Sequence, residues 1–225
     1  MKISQESKSD NNMINDFCEE FVKSLKNAIN EGKINREEFY DYGKMSKSFN
    51  HSKVLKIICQ TLEKIGYDWL TDVRINRTTC QKRLQSQVRY VADVVGYHDK
   101  LPENFSVMIE YESIDSGRNK NGRLKIIDYI SRMFEVKNIE FYVMIAVFTT
   151  TITEKTRNKE KDQWGMPRNR KIMYEEVISE INNEIKKLPE GSKFALISIF
   201  DEEIEIQIFD KSGEKVKNNI PIKIH

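Results

Sequence analysis

The chain has 225 residues, enough for one domain with a sizeable core, and nothing in its composition requires a second domain. Charged residues make up 32% and hydrophobic residues 39%, the ordinary balance of a soluble globular protein. The net charge of +2 neither requires nor excludes a nucleic-acid partner. No apolar run approaches the ~20 residues that cross a bilayer, and the start lacks a signal-peptide core, so we expect a cytoplasmic protein without a membrane partner.

The three cysteines, Cys18, Cys59 and Cys80, are widely spaced and have no histidines near them in the pattern. An odd, scattered set of this kind predicts neither a disulfide framework nor a zinc site. We expect all three to be reduced, with Cys59 in the core of a helix.

The N-terminal part of the chain is predicted to be helical. Residues 1–12 are polar and expected to be disordered, so residues 13–225 are predicted to form the single domain. Apolar residues recur at helical spacing over 13–31, and Gly32 ends that helix. A second helix is predicted to start after an Asn35 cap, and a third after a Ser52 cap.

Three strands are predicted next. Residues 67–75 read as the first strand, and residues 76–87 as a polar, basic connection. Residues 88–113 then contain two apolar, β-prone runs joined by a turn-rich link. Asp93 lies inside the first of these runs, where a buried strand does not ordinarily carry an acid.

The second run carries two more acids. Glu110 and Glu112 flank Tyr111, and because side chains alternate along a strand they point the same way, roughly 6 to 7 Å apart. Met108 shares their face, while Ile109 and Tyr111 take the other.

Asp93, Glu110 and Glu112 are therefore expected to converge at the ends of neighbouring strands. Such carboxylates repel one another and resist desolvation unless a cation lies among them. An all-oxygen donor set favours Mg²⁺ over Zn²⁺. Glu63, near the end of the third helix, is a further candidate ligand. The alternative is a solvated strand edge, or acids that pair with lysine or arginine.

The second half of the chain alternates strand and helix. A glycine-containing cationic loop over 114–123 precedes a helix, and the nearly continuous apolar run 139–148 is typical of a strand covered on both faces. This order predicts a right-handed parallel crossover. A long basic segment, 149–171, is expected to be functional or disordered.

The C-terminal part is predicted to be a helix followed by a hairpin. The helix covers 172–188, and the hairpin joins strands 194–200 and 204–210. The second of these strands alternates apolar and polar residues, which predicts a one-sided edge strand.

In this order of elements the chain resembles the PD-(D/E)XK nuclease superfamily. The family's core is a helix, three antiparallel strands, a crossover helix and a further strand, with a lone acid on the second strand and a pair on the third. Asp93 matches the lone acid and Glu110 the first of the pair, while Glu112 stands where lysine is more common. The Glu-x-Glu form and its distance from Asp93 resemble the BamHI-type type II restriction endonucleases. The match covers roughly residues 54–148, and its motif is short.

The resemblance implies an α/β fold with a restriction-endonuclease-like core, a central mixed β-sheet flanked by helices. It implies Mg²⁺-dependent hydrolysis of phosphodiester bonds in double-stranded DNA by a homodimer. Asp93 and Glu110 would hold the metal, and Glu63 could join them. Water activation, usually assigned to the family's lysine, would fall to the metal or to Glu112 acting as a base.

Phosphate contacts would come from cations near this edge of the sheet. The first candidates are Lys120, Arg123 and Lys125, followed by Arg77, Lys82 and Arg83 and the basic loop over 155–171. Trp164 in that loop could stack on a base or anchor the loop. His98 lies in the turn between the two acidic strands, and we favour a structural role for it.

Three other functions remain open from the sequence. The same core could belong to a repair or junction-resolving nuclease, which cleavage of branched and single-stranded DNA would distinguish. A non-catalytic nucleic-acid-binding protein would show no stabilisation by Mg²⁺ or Mn²⁺. A purely structural domain would show no salt-dependent binding to DNA.

Overall fold

The computed structural model describes residues 10–35, 43–75, 90–98, 105–113, 122–148 and 170–224. Its helices are α1 (Asp10–Asn30), α2 (Gly43–Lys64), α3 (Gly122–Glu135) and α4 (Arg170–Glu184), the last continued by a 3-10 turn, Ile185–Lys187. Its strands are β1 (Asp68–Ile75), β2 (Tyr90–Tyr97), β3 (Val107–Ser113), β4 (Phe141–Val147), β5 (Lys193–Ile199), β6 (Glu203–Asp210) and β7 (Gly213–Pro221).

The strands form one mixed sheet of seven, ordered β1 to β7 as in the chain. β3, β4 and β5 run parallel, and every other neighbouring pair is antiparallel. Because parallel neighbours need a long connection, α3 lies between β3 and β4 and α4 between β4 and β5. The predicted parallel pairing across α3 is confirmed.

Helices cover both faces of this sheet, so the fold is mixed α/β as predicted. One hydrophobic cluster joins α1 and α2 to the sheet, and the other joins α3 and α4 to its opposite face. β4 is buried along its whole length, which explains its unbroken apolar sequence. Among the described helices, none is both long and apolar enough to cross a membrane.

The helix boundaries differ from the sequence prediction at the N-terminal ends. α1 begins at Asp10, so residues 10–12 belong to this helix, while residues 1–9 lie outside the described residues. Gly32, with a φ of 68°, follows α1 as predicted. α2 begins at Gly43, which places Ser52 inside the helix, so the predicted cap there is wrong. Apolar residues recur at helical spacing only from Val54 onward, so the polar first turns of α2 could not be identified as helix from the sequence. Most of the predicted second helix lies outside the described residues.

The cysteine prediction holds where the structure describes it. Cys18 and Cys59 are both buried and not bonded to another cysteine, and Cys59 lies within α2 as predicted. Cys80 lies outside the described residues.

At the C-terminal end, the hairpin of β5 and β6 is confirmed, but the edge position of β6 is wrong. β7 pairs with β6 along its length and takes the edge instead. Its sequence, GEKVKNNIP, lacks the apolar alternation that identifies a strand. The polar positions of β6 are accordingly buried, with Glu205 at 6% and Gln207 at 2% exposure.

Candidate metal centre

The feature that organises the site is the point where backbone pairing between β2 and β3 stops. β2 pairs with β1 from Tyr97 to Tyr90 but with β3 only over Val94 to Gly96. In this register the next pair would be Asp93 and Glu110, and the ladder ends there. β3 nevertheless stays paired with β4 to its last residue. We call this break in backbone pairing, where two of the predicted site residues lie, the opening.

Asp93 bridges the strands at the start of this opening. Its Oδ2 accepts a 2.9 Å hydrogen bond from the backbone N–H of Tyr111. A side chain of β2 thus satisfies a backbone donor of β3 where backbone pairing has stopped. A charged acceptor makes this bond stronger than the neutral one it replaces. The carboxylate of Asp93 is held in place as a result.

An irregularity in β1 and β2 accompanies the opening. Ala92 and Val95 both pack in the cluster under α3 and α4, although strict alternation would put residues three apart on opposite faces. On the neighbouring strand, Asp72 has a φ of 52° and is missing from the ladder between the pairs on either side of it. Aspartate tolerates this left-handed conformation better than most residues. The regular pleat is therefore interrupted at the level of Asp93.

Glu110 and Glu112 lie on the sheet face covered by α3. Met108 packs in the cluster of α3 and α4, whereas Ile109 and Tyr111 pack in the other, which confirms the predicted alternation. Glu110 is only 3% exposed and Glu112 is half-buried. Glu110 is thus the deeper carboxylate and Glu112 the one nearer to solvent.

All three carboxylates affect the pKa of one phenol group, that of Tyr129 on α3. Burial, followed by the negative charges of Glu112, Glu110 and Asp93 in that order, raises the pKa of Tyr129 to about 12. The charge of Arg132 opposes this effect. Because such effects weaken with distance and screening, all three acids lie within reach of one phenol group. Tyr129 is therefore a shared neighbour of Asp93, Glu110 and Glu112.

The donor set of this neighbourhood suits a hard cation. Three carboxylates supply only oxygen atoms, the ligands that Mg²⁺ prefers. Among the residues that the structure describes, however, no group of three or more acidic, histidine or cysteine side chains is gathered closely enough to hold a metal ion. The chemistry of the residues therefore fits Mg²⁺, and coordination would require their side chains to close further.

Glu63 is placed apart from these carboxylates. It lies near the end of α2, the helix layer on the opposite face of the sheet, and its Oε1 accepts a 2.8 Å hydrogen bond from Trp69 Nε1. The structure does not bring it together with Asp93, Glu110 and Glu112, and its role as a ligand stays a prediction.

His98 lies at the far end of β2 from the opening. Its ring stacks on Tyr67 with a centroid distance of 3.9 Å, and the Tyr67 hydroxyl donates a 2.9 Å hydrogen bond to Glu140. These contacts support the structural role expected for His98.

Most of the predicted phosphate contacts lie outside the described residues. These are Lys120, Arg77, Lys82, Arg83 and the loop over 155–169, and Trp164, predicted to stack on a base or to anchor that loop, lies outside them too. Arg123 and Lys125 belong to the first turn of α3, the helix that follows β3 in the chain. This position is compatible with the prediction for these two residues but does not test it.

Two residues of the site were missed by the sequence interpretation. These are Tyr129 and Arg132 of α3, neither of which the sequence singles out. Arg132 forms an ion pair with Asp128 one turn earlier, which is common on a helix surface. Nothing in the local sequence distinguishes Tyr129 from a core aromatic residue; only the packing of α3 on β3 does.

Comparison with known proteins adds no family assignment. No family model matches the chain, and neither a curated protein nor a solved structure matches it.

Proposed function

We propose that this protein is a Mg²⁺-dependent endonuclease that hydrolyses phosphodiester bonds in double-stranded DNA. The observation that carries the proposal is the opening between β2 and β3, with Asp93 on one side and Glu110 and Glu112 on the other. The proposed fold is a restriction-endonuclease-like core, and the proposed subclass is a sequence-specific type II restriction endonuclease.

The topology supports this choice. The chain runs through α2, β1, β2, β3, α3 and β4, and these strands pair antiparallel, antiparallel and parallel. This is the order of helix, three antiparallel strands, crossover helix and further strand that the resemblance implies. The lone acid is on the second strand and the paired acids are on the third, as the resemblance requires.

The three acids differ in burial and in hydrogen bonding, and this difference favours different roles for them. Asp93 is fixed by its bond to Tyr111 and Glu110 is almost fully buried, so these two would hold Mg²⁺. When bound, Mg²⁺ would polarise the scissile phosphate and lower the pKa of a water. Glu112 is half-buried and nearer to solvent than Glu110, so it would accept the proton from that water.

A glutamate in place of lysine is chemically workable here. A lysine must lose a proton before it can accept one from water, whereas an ionised carboxylate accepts a proton directly. Glu112 would therefore take the place of the family's lysine as the proton acceptor. It also adds negative charge, which makes the site more dependent on the bound cation.

The partner would be duplex DNA, bound by a homodimer. Cutting both strands of a duplex needs two sites that face opposite strands, and a twofold dimer provides them. Lys120, Arg123 and Lys125 would supply phosphate contacts, and Arg77, Lys82 and Arg83, which precede β2 in the chain, would be the next candidates.

Cleavage of plasmid and genomic DNA with Mg²⁺ and with EDTA tests the function. The wild type should give discrete bands, and EDTA, Asp93→Ala and Glu110→Ala should each abolish them. Glu190→Ala is the matched control, because this exposed acid pairs only with Lys211 among the contacts described and should leave cleavage unchanged.

The other outcomes separate the alternatives. Intact DNA in every sample, with salt-dependent binding by the wild type, would refute catalysis on duplex DNA and favour a nucleic-acid-binding protein. Cleavage confined to branched or single-stranded substrates would favour a repair or junction-resolving nuclease.

A further inference from the structure

β1 forms one edge of the sheet, and its outer side pairs with no other strand among the described residues. The exposed large hydrophobic side chains of these residues all lie on β1 or on its neighbour β2; they are Trp69 at 36%, Leu70 at 38% and Val91 at 40% exposure. Such an edge presents both backbone hydrogen-bonding groups and apolar surface to another strand.

The opposite edge, β7, differs in composition. Its exposed side chains include Lys217, Asn218 and Asn219, and the strand ends at Pro221. Lysine and proline are residues that natural sheets place on edge strands to prevent pairing. β1, with the sequence DWLTDVRI, contains neither, so it is the edge that remains able to pair.

Trp69 on the β1 edge is exposed but has a fixed hydrogen-bond partner. Its Nε1 donates a 2.8 Å hydrogen bond to Oε1 of Glu63 on α2. A side chain that is ordered before binding loses less conformational freedom when it binds, and tryptophan is enriched at the energetic centre of interfaces. Trp69 therefore has the properties of an interface anchor.

The interruption of the pleat at Asp72 limits which strand fits this edge. Leu70 pairs with Val95, which packs in the cluster of α3 and α4, so Leu70 lies on that face. Val73 packs against the same cluster, although strict alternation would put residues three apart on opposite faces. Asp72, with a φ of 52°, lies between them. A strand with an unbroken pleat would match β1 on only one side of Asp72, so a fitting partner carries the same interruption.

We propose that this partner is β1 of a second copy of the chain, paired antiparallel about a twofold axis between Thr71 and Asp72. The interface is isologous, because each copy supplies the same strand to the other. At the axis, the Thr71 hydroxyl of each copy can donate to the Asp72 carboxylate of the other. The assignment rests on the homodimer of the proposed function but not on its catalysis.

This register matches residue types on both faces of the sheet. Leu70 falls opposite Val73 of the second copy, which pairs apolar residues on the face of α3 and α4. Trp69 falls opposite Arg74 of the second copy, and arginine is a favoured partner of a tryptophan ring. Each of these pairs occurs twice in the dimer.

The pairing also places both proposed metal centres on one side of the combined sheet. A twofold axis perpendicular to the sheet keeps the α3 and α4 faces of the two copies together. In the register of β1 and β2, Asp72 falls opposite Asp93, so both centres lie level with the axis. The two β3 strands are separated by five strand spacings, about 24 Å. Two centres that face the same side can act on one DNA duplex.

Analytical ultracentrifugation of the metal-free full chain, without DNA, tests the interface. The wild type should sediment as two chains and Leu70→Lys as one, because a lysine on an edge strand prevents pairing. Asn218→Lys is the matched control on the β7 edge and should sediment as two chains. A wild type that stays at one chain at every concentration, or a Leu70→Lys variant that stays at two, would overturn the proposal.

Disulfide cross-linking tests the register without a disruptive substitution. On oxidation, the double variant Leu70→Cys and Val73→Cys should become linked to a second copy, since the two positions lie opposite each other between copies. Within one chain they are about 10 Å apart, too far for a disulfide. Leu70→Cys alone and the wild type, with its three native cysteines, are the controls and should stay unlinked. An unlinked double variant would overturn the proposal.

Cleavage assays on the same samples separate this interface from the nuclease function. A dimer with the cross-linked register that leaves DNA intact would refute the nuclease and keep the interface. A wild type that cuts both strands but sediments as one chain would keep the nuclease and overturn the interface.

Discussion

The backbone N–H of Tyr111 donates a 2.9 Å hydrogen bond to Oδ2 of Asp93, so a side chain links β2 to β3 beyond their last backbone pair. The same carboxylate is proposed as a metal ligand, which gives Asp93 a structural and a chemical task. The two tasks need different properties, because the first requires an oxygen acceptor and the second requires a negative charge.

Asp93→Asn should therefore separate the two tasks. The amide oxygen can still accept from Tyr111, so we expect the free energy of unfolding to fall by only ~1 kcal/mol, the difference between a charged and a neutral acceptor. Mg²⁺ binding and DNA cleavage should be lost. Urea unfolding with and without Mg²⁺ measures both effects. An Asn variant that cleaves as fast as the wild type would argue against a metal at Asp93.

Glu110→Gln should abolish the stabilisation of the protein by Mg²⁺. Glu110 is 3% exposed, and a neutral amide is a weaker ligand for a hard cation than a carboxylate. In the wild type, saturating Mg²⁺ should raise the free energy of unfolding, by about 2.7 kcal/mol at a concentration 100 times Kd. The Gln variant should lose this response. Thermal unfolding in EDTA and in Mg²⁺ would show either result, and an undiminished Mg²⁺ response would exclude Glu110 as a ligand.

Tyr129→Phe should change how stability depends on alkaline pH. The pKa of Tyr129 is raised from 10.0 to about 12 in the folded protein, so folding favours the protonated phenol. Its contribution to stability is fully present below pH 10 and is lost as the pH rises towards 12. The wild type should therefore lose stability more steeply than the Phe variant between pH 10 and pH 12. Urea midpoints at several alkaline pH values measure this, and identical slopes would contradict it.

Gly96→Ala should lower the free energy of unfolding by disturbing the short segment, Val94 to Gly96, in which β2 pairs regularly with β3. A Cβ at Gly96 would approach the Cβ of Val107 to 3.1 Å and Cδ2 of Leu62 to 3.4 Å. Overpacking of this kind costs about 1–3 kcal/mol, and buried strands have little room to move. Urea unfolding should show this loss, with the Mg²⁺ response kept because Gly96 does not contact the acids. An unchanged free energy of unfolding would mean that β2 and β3 can move apart at Gly96 enough to accommodate the added methyl group.

The sequence by itself determined the elements whose signals are local. Alternation along β3 is a property of any strand, so the shared face of Glu110 and Glu112 could be predicted from spacing alone. The unbroken apolar sequence of β4 likewise predicted a strand buried on both faces. β7 and the start of α2 were missed because polar residues there carry no periodic hydrophobic signal.

Only the tertiary structure decided where β2 and β3 separate, that Asp93 bonds to the backbone of Tyr111, and that Tyr129 lies beside the acids. It also placed Glu63 in the opposite helix layer, beside Trp69. Each of these depends on contacts between residues of different helices and strands. Hydrophobic periodicity reports which face of an element is buried, but not which partner covers that face, and the partner is chosen by the packing of the whole sheet and its helices.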